Sequence, residues 1–253
     1  LEAALIEHKP AILAMVHAET STGVCQPMEG IGDLCRKHDC LLLLDTVTSL
    51  GGVPLYIDEW KVDLAYSCSQ KGLSCPPGLG PFTMGPRAEA KMTARQGKVP
   101  NWYLDVSLLN QYWGSDRVYH HTAPVNMNFG MREALRLPAE EGLDQAWARH
   151  RSNAEMLWNG LESLGLSMHV PAERRLPTLT TVRIPEGVDG KAFSQHLLNN
   201  HGIEVGGGLG SLAGKIWRIG LMGYNSTPEN VNRLLNLFET ELPRFSGSVA
   251  AAA

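Results

Sequence analysis

The chain has 253 residues, enough for one or two domains at about 150 residues each. Hydrophobic residues make up 43% and charged residues 19%, so a sizeable core is available and wholesale disorder is excluded. The 22 Lys and Arg against 26 Asp and Glu give a net charge of -4 without a long basic block, which argues against nucleic acid or an anionic membrane as partner. No apolar run approaches the roughly 18 residues of a membrane-spanning helix. The five cysteines are an odd number, and all but Cys25 lie in or just after apolar segments. That pattern suits a reducing, intracellular compartment rather than a disulfide framework. Peroxisome, mitochondrion and cytoplasm are not distinguished, since no targeting peptide or Ser-Lys-Leu-type ending is present. The Cys35-x-x-His38-x-Cys40 spacing matches no standard zinc pattern, and no metal is expected.

In chain order, residues 1–9 read as the tail of a helix, as in a chain cut from a longer one. Residues 10–16 are a short apolar run ending in the polar cluster His17-Ala18-Glu19-Thr20-Ser21-Thr22-Gly23, a strand delivering a loop. Residues 31–38 are helix-like. A second strand over 40–44 is stopped by Asp45, and a third over 62–68 leads into Ser69-Gln70-Lys71. Short apolar strands separated by crossovers imply a mainly parallel sheet covered by helices, an α/β fold. Residues 85–100 are predicted to form a surface helix and loop. The aromatic-rich segment 101–114 follows, then helices over 126–137 and 143–164. In the last of these Trp147, Ala154, Leu157, Trp158, Leu161 and Leu164 form one apolar stripe. Beyond Pro138 strands are expected at 178–184, 203–205 and 215–220, with a helix at 190–200 and a final helix capped by Ser226-Thr227-Pro228. The expected division is therefore a large domain over 1–137, a smaller α+β domain over 138–245 and a disordered tail over 246–253.

Asp45 and Lys71 carry the chemistry. Each stands just past the carboxyl end of an apolar strand, where open α/β sheets bind their ligands. A plain salt bridge between two loop residues is the other reading of position alone. Pyridoxal phosphate needs both groups: a lysine amine to form an exchangeable Schiff base, and a carboxylate to keep the pyridine nitrogen protonated as an electron sink. The same lysine can then serve as general base. Arg218 stands inside the apolar run Ile216-Trp217-Arg218-Ile219, where its planar guanidinium can take a carboxylate through two parallel hydrogen bonds.

Five segments occur together and in order: Thr20-Ser21-Thr22-Gly23, Asp45-Thr46-Val47-Thr48-Ser49-Leu50-Gly51-Gly52, Ser67-Cys68-Ser69-Gln70-Lys71, Tyr119-His120-His121-Thr122 and Trp217-Arg218-Ile219-Gly220. From about residue 10 to the last helix the chain resembles the alanine–glyoxylate and serine–pyruvate aminotransferases, a class V branch of the fold-type I pyridoxal-phosphate enzymes. The resemblance implies amino transfer from alanine or serine to glyoxylate or another 2-oxo acid, a place in glyoxylate metabolism, and a homodimer with a shared active site. It implies that Lys71 forms the Schiff base and Asp45 partners the pyridine nitrogen. Val47 packs on the ring, Thr20 lies beside the cofactor and Gln70 contacts the phosphate side. Tyr119 and Thr122 reach the phosphate of the neighbouring subunit, and Arg218 binds the substrate carboxylate. The family's amino-terminal part, with its glycine-rich phosphate turn and ring-stacking aromatic residue, has no counterpart here. The 253 residues alone are therefore expected to bind the cofactor poorly. Cys68 stands where the family usually has glycine, and the segment before Tyr119 is shorter than in animal relatives.

The same residues would serve a 3-hydroxykynurenine transaminase. A cysteine-desulfurase-like lyase would need a mobile nucleophilic cysteine, and none of the five is clearly so placed. A non-catalytic truncated chain that keeps the fold but not the cofactor is the alternative from a different class. Gly208-Leu209-Gly210-Ser211-Leu212-Ala213 fits a nucleotide fingerprint on paper, but strand-like residues follow it, so it is read as a flexible lip near the substrate carboxylate. His120 and His121 would point to opposite faces of an extended chain, poor geometry for a metal. Trp102, Tyr103, Tyr112 and Trp113 are expected in the core or a subunit contact.

Overall fold

The computed structural model describes residues 1–247. Helix α1 (Glu2–His8) leads to strand β1 (Ile12–Val16), and the short strands β2 (Ala18–Glu19) and β3 (Val24–Cys25) pair antiparallel within the polar loop. Helix α2 (Ile31–Lys37), strand β4 (Leu41–Asp45), strand β5 (Leu64–Tyr66) and strand β6 (Phe82–Met84) follow. The first sheet has the order β1-β4-β5-β6. β1, β4 and β5 run parallel and β6 antiparallel, so the sheet is parallel apart from one edge strand. Leu42, Leu44 and Ala65 bury themselves with Leu5, Met28 and Cys35, so the central strand β4 is covered on both faces, whereas β1 and β6 at the sheet's two ends leave alternate or most residues exposed. Asp63 is 97% buried yet satisfied, taking Arg87 at 2.8 Å and the Leu42 amide at 2.9 Å, and so clamps the start of β5 to β4.

Next come α3 (Pro86–Thr93), α4 (Val106–Trp113), α5 (Val125–Glu141) and α6 (Leu143–Ser163). The expected boundary at 137/138 falls inside α5, which runs on through Pro138. On α6 the expected stripe holds for Ala154, Leu157, Trp158 and Leu161, whereas Trp147 is half-buried and Leu164 exposed at the helix end. Three polar residues, Arg149, His150 and Asn153, extend the contact face, and their role is described below. The second sheet is built from β7 (Leu179–Arg183), β8 (Gly206–Gly207) and β9 (Ile216–Gly220) in the order β7-β9-β8, all antiparallel. With α7 (Gly190–His201) and α8 (Pro228–Glu241) it encloses a core of Phe193, Leu197, Trp217, Val231 and Phe238. The strand expected at 203–205 is not one. Gly202 closes α7 in the left-handed region at φ 64°, the Ile203 amide still bonds Leu197 O at 3.1 Å, and pairing with β9 starts only at Gly206.

Of the tail expected to be disordered, Ser246 bridges Val188 and Gly247 N–H donates to Gly187 O at 2.9 Å. The rest of that segment, 248–253, lies outside the described residues. His120 and His121 are not splayed apart: their Nδ1 atoms are 2.9 Å from each other, because this segment is not a strand and the two-residue alternation does not apply. Trp102, Tyr103 and Trp113 are exposed on this chain, not in its core. Cys35 and Cys40 are buried core residues while His38 bonds Glu2, so that trio forms no ligand set. No helix among the described residues is long and apolar enough to cross a membrane.

Candidate active site

Asp45 ends β4 directly beside Tyr66, the last residue of β5. Parallel pairing brings the two chains out of the sheet on the same side, so the loops that follow them share one mouth. The Asp45 carboxylate is held at both oxygens. Oδ1 accepts the Val47 amide at 2.8 Å, and Oδ2 accepts the Tyr66 hydroxyl at 2.7 Å. That hydrogen bond, then burial and the carboxylate's charge, push the Tyr66 phenol up to about 12. Tyr66 was missed by sequence reasoning. It reads as the last apolar position of a strand, and only the strand register reveals that it faces Asp45.

Lys71 lies in the loop after β5, and that loop is closely tied. Ser67 Oγ donates to Thr46 O at 3.0 Å, the Cys75 amide bonds Ser69 O at 3.0 Å, and the Ser74 amide bonds Lys71 O at 2.9 Å. Cys68 directs its Sγ at Val47 O, 4.0 Å away. Gly72 approaches the loop after Asp45 so closely that a methyl group there would meet Leu50 O at 2.2 Å, so this position admits no side chain. Lys71 is half-buried, and among the described residues its ammonium has neither a hydrogen bond nor an ion pair. The salt-bridge reading of the Asp45 and Lys71 pair is thereby excluded: the carboxylate is oriented by other groups and the amine is left available.

The loop bearing Thr20 runs alongside. The His17 amide bonds Asp45 O at 3.0 Å, and Thr181 Oγ1 donates to Thr22 O at 2.8 Å. Arg218 reaches across from β9, donating from Nε to Gly207 O at 2.7 Å and from one terminal nitrogen to Thr20 O at 3.2 Å. Its other terminal nitrogen has no partner among the described residues. Hydrogen bonds thus link the Thr20 loop to Arg218 and to Asp45, and Val47 to Asp45, and Gly72 packs the loop after Asp45 against the loop bearing Lys71. Gln70 is exposed in the same loop with its amide free among the described residues. Tyr119 and Thr122 bond each other at 2.9 Å on an exposed segment and share no hydrogen bond with the residues around Asp45.

At the base of the Thr20 loop His17 is only 4% exposed. Its Nδ1 is buried without a partner among the described residues, its Nε2 lies 3.7 Å from Cys25 Sγ, and its ring stands edge-on to Trp60 with centroids 5.1 Å apart. Burial drives this imidazole down to about 4, with Glu29 opposing weakly.

The aminotransferase class-V family model matches residues 2–234. The chain belongs to the class-V aminotransferases. It is 46% identical over 239 residues to an alanine–glyoxylate aminotransferase of Oryctolagus cuniculus, covering 92% of this chain and 61% of that protein. An (S)-ureidoglycine–glyoxylate transaminase of Bacillus subtilis is 39% identical over 261 residues, covering 96% of this chain and 63% of that protein. Among solved structures, an alanine–glyoxylate aminotransferase from Nostoc sp. superposes with a TM-score of 0.92 at 64% identity, covering 94% of this chain and 63% of that one. The chain thus spans about 60% of the length of the curated relatives it matches. The fold is that of the fold-type I pyridoxal-phosphate aminotransferases.

Class-V aminotransferases depend on pyridoxal phosphate, and the donor set around Asp45 fits that group. A fixed carboxylate suits a protonated ring nitrogen, and an unpaired lysine amine suits an aldehyde.

Proposed function

We propose that this chain is the greater part of a pyridoxal-phosphate transaminase that moves the amino group of alanine or serine to glyoxylate or a similar 2-oxo acid. The observation that carries the reading is the Asp45–Lys71 arrangement: opposite charges at one end of neighbouring parallel strands, one already oriented by Val47 and Tyr66, the other free. The names of the relatives, which share glyoxylate as acceptor, support that substrate.

When bound, pyridoxal phosphate supplies an aldehyde for amines and a pyridinium ring that accepts the electron pair of the breaking bond at the substrate α-carbon. Asp45 holds the proton on the ring nitrogen, and Tyr66 keeps the carboxylate turned for that task. Lys71 would take the proton from the substrate α-carbon as general base. Arg218 binds the substrate carboxylate through its free terminal nitrogen and so orients the bond to be broken. Thr20 and Val47 would bound the cofactor, and Gln70 would serve its phosphate side. The exposed Tyr119–Thr122 pair serves the site of a second subunit in a homodimer. The five free thiols support an intracellular setting.

The test is amino transfer to glyoxylate by the full-length gene product, offered alanine, serine and 3-hydroxykynurenine. Transfer from alanine or serine, with a visible cofactor absorbance band abolished in Lys71→Ala, is the expected result. A preference for 3-hydroxykynurenine would move the donor assignment, and no band in the wild type would overturn the reading.

A further inference from the structure

Helix α6 grips the turn that follows β9 with three polar side chains. Arg149 donates to Gly223 O at 3.0 Å and Ser226 O at 2.8 Å, and Asn153 donates to Ser226 O at 2.9 Å. Between them, His150 is 1% exposed and bonded at both ring nitrogens. The Gly223 amide donates to Nε2 at 2.8 Å, so Nε2 carries no proton. Nδ1 then holds the hydrogen and donates to Ala146 O at 2.6 Å. This fixes a neutral imidazole in one tautomer, and burial, the largest influence, also lowers its proton affinity.

The held turn presses on the lysine loop. Gly223 sits in the left-handed region at φ +60°, where a methyl group would meet Ser74 Oγ at 1.9 Å and Gly72 O at 2.8 Å. The next amide, Tyr224, donates to Ser74 Oγ at 2.8 Å, and Ser74 in turn bonds Lys71 O. The ring of His150 also backs the loop after Asp45, since a methyl group on Gly52 would meet its Cδ2 at 3.3 Å. One imidazole therefore underlies both loops of the site, and the turn it holds follows directly from the strand of Arg218.

We propose that His150 is a positioning residue for Lys71: as a neutral acceptor for the Gly223 amide it locks the 223–226 turn against Ser74 and so seats the lysine loop. The proposal rests on the transaminase reading for its functional meaning, but the lock is testable without the cofactor. Amide hydrogen exchange is to be followed in the chain carrying His150→Leu, His150→Gln or Ser74→Ala. Leaving the buried Gly223 amide without its acceptor corresponds to roughly tenfold or more in local opening. The expected result is that much faster exchange at Ser74, Cys75 and Tyr224 in His150→Leu, with β4 and β7 unchanged. His150→Gln, whose side-chain oxygen can accept at the Nε2 position, restores protection. Ser74→Ala opens the same amides from the other end of the contact and keeps the test decisive where His150→Leu does not fold.

A second readout, in the full-length gene product, is labelling of Lys71 by pyridoxal 5'-phosphate with cyanoborohydride, located by peptide mass spectrometry. It should fall in His150→Leu and recover in His150→Gln. Unmoved loop amides, a uniform rise across α6 and β7, or labelling that ignores the opened loop would each overturn the proposal. Absent labelling in the wild-type full-length gene product would instead count against the transaminase reading, while the exchange pattern still decides the lock.

Discussion

Acidification is expected to loosen the fold through His17. In the unfolded chain this imidazole titrates near its ordinary 6.5, whereas in the fold burial lowers it to about 4. A histidine depressed in this way favours the folded state fully above pH 6.5. Its contribution is lost as pH falls from 6.5 towards 4, because the unfolded chain binds the proton first. At pH 4 the loss is about 3 kcal/mol. For a chain of this length each kcal/mol moves the melting midpoint by about 2–4 °C, so the expected drop is roughly 6–12 °C. Carboxylates titrate in the same range, so the His17 share is isolated by comparison with His17→Phe, whose ring keeps the edge contact with Trp60. Melting curves followed by circular dichroism from pH 7 to pH 4 should show the wild type losing that much stability relative to the variant. Parallel curves across the whole range would refute the argument. The loss matters to the site because the backbone of His17 ties the Thr20 loop to Asp45 on one side and to Gln26 on the other.

Three further outcomes are expected. In Asp45→Asn the Tyr66 phenol should titrate closer to its usual 10 instead of about 12, read by ultraviolet difference spectra at high pH. Gly223→Ala forces a side chain into a left-handed, closely packed turn and should cost about 2–4 kcal/mol in urea denaturation. Arg218→Leu removes the charge-assisted contact of its free terminal nitrogen with a substrate carboxylate. It should lower kcat/KM of the full-length product by roughly 10- to 100-fold, while the cofactor absorbance band stays.

Much of this was legible in the chain itself. The apolar runs before His17 and Asp45 are too short for helices and bounded by polar residues, so β1 and β4 were read correctly, and with them the placement of Asp45 at a strand end. Lys71 and Arg218 stand out as candidates because charges are conspicuous beside apolar strands. What escaped depended on register or on distant packing. Tyr66 is apolar enough to pass as a strand residue until β5 is aligned with β4. His150 lies on the helix face that the hydrophobic stripe predicts as core, and nothing local marks it as a polar clasp. The strand expected at 203–205 failed because a run of Ile and Val is equally suited to the wrap of a helix end, and the pairing residues turned out to be glycines. His120 and His121 were misjudged because an extended backbone was assumed for a segment that has none.

The place of β1 at the end of its sheet has a consequence for handling the protein. Among the described residues it pairs only with β4, and its Ile12 and Val16 are 48% and 39% exposed. An open row of amide and carbonyl groups flanked by branched apolar side chains is a template for another extended segment. At high concentration this rim should recruit neighbouring molecules into intermolecular ladders, and a lysine introduced at Ala14 should keep the preparation monodisperse.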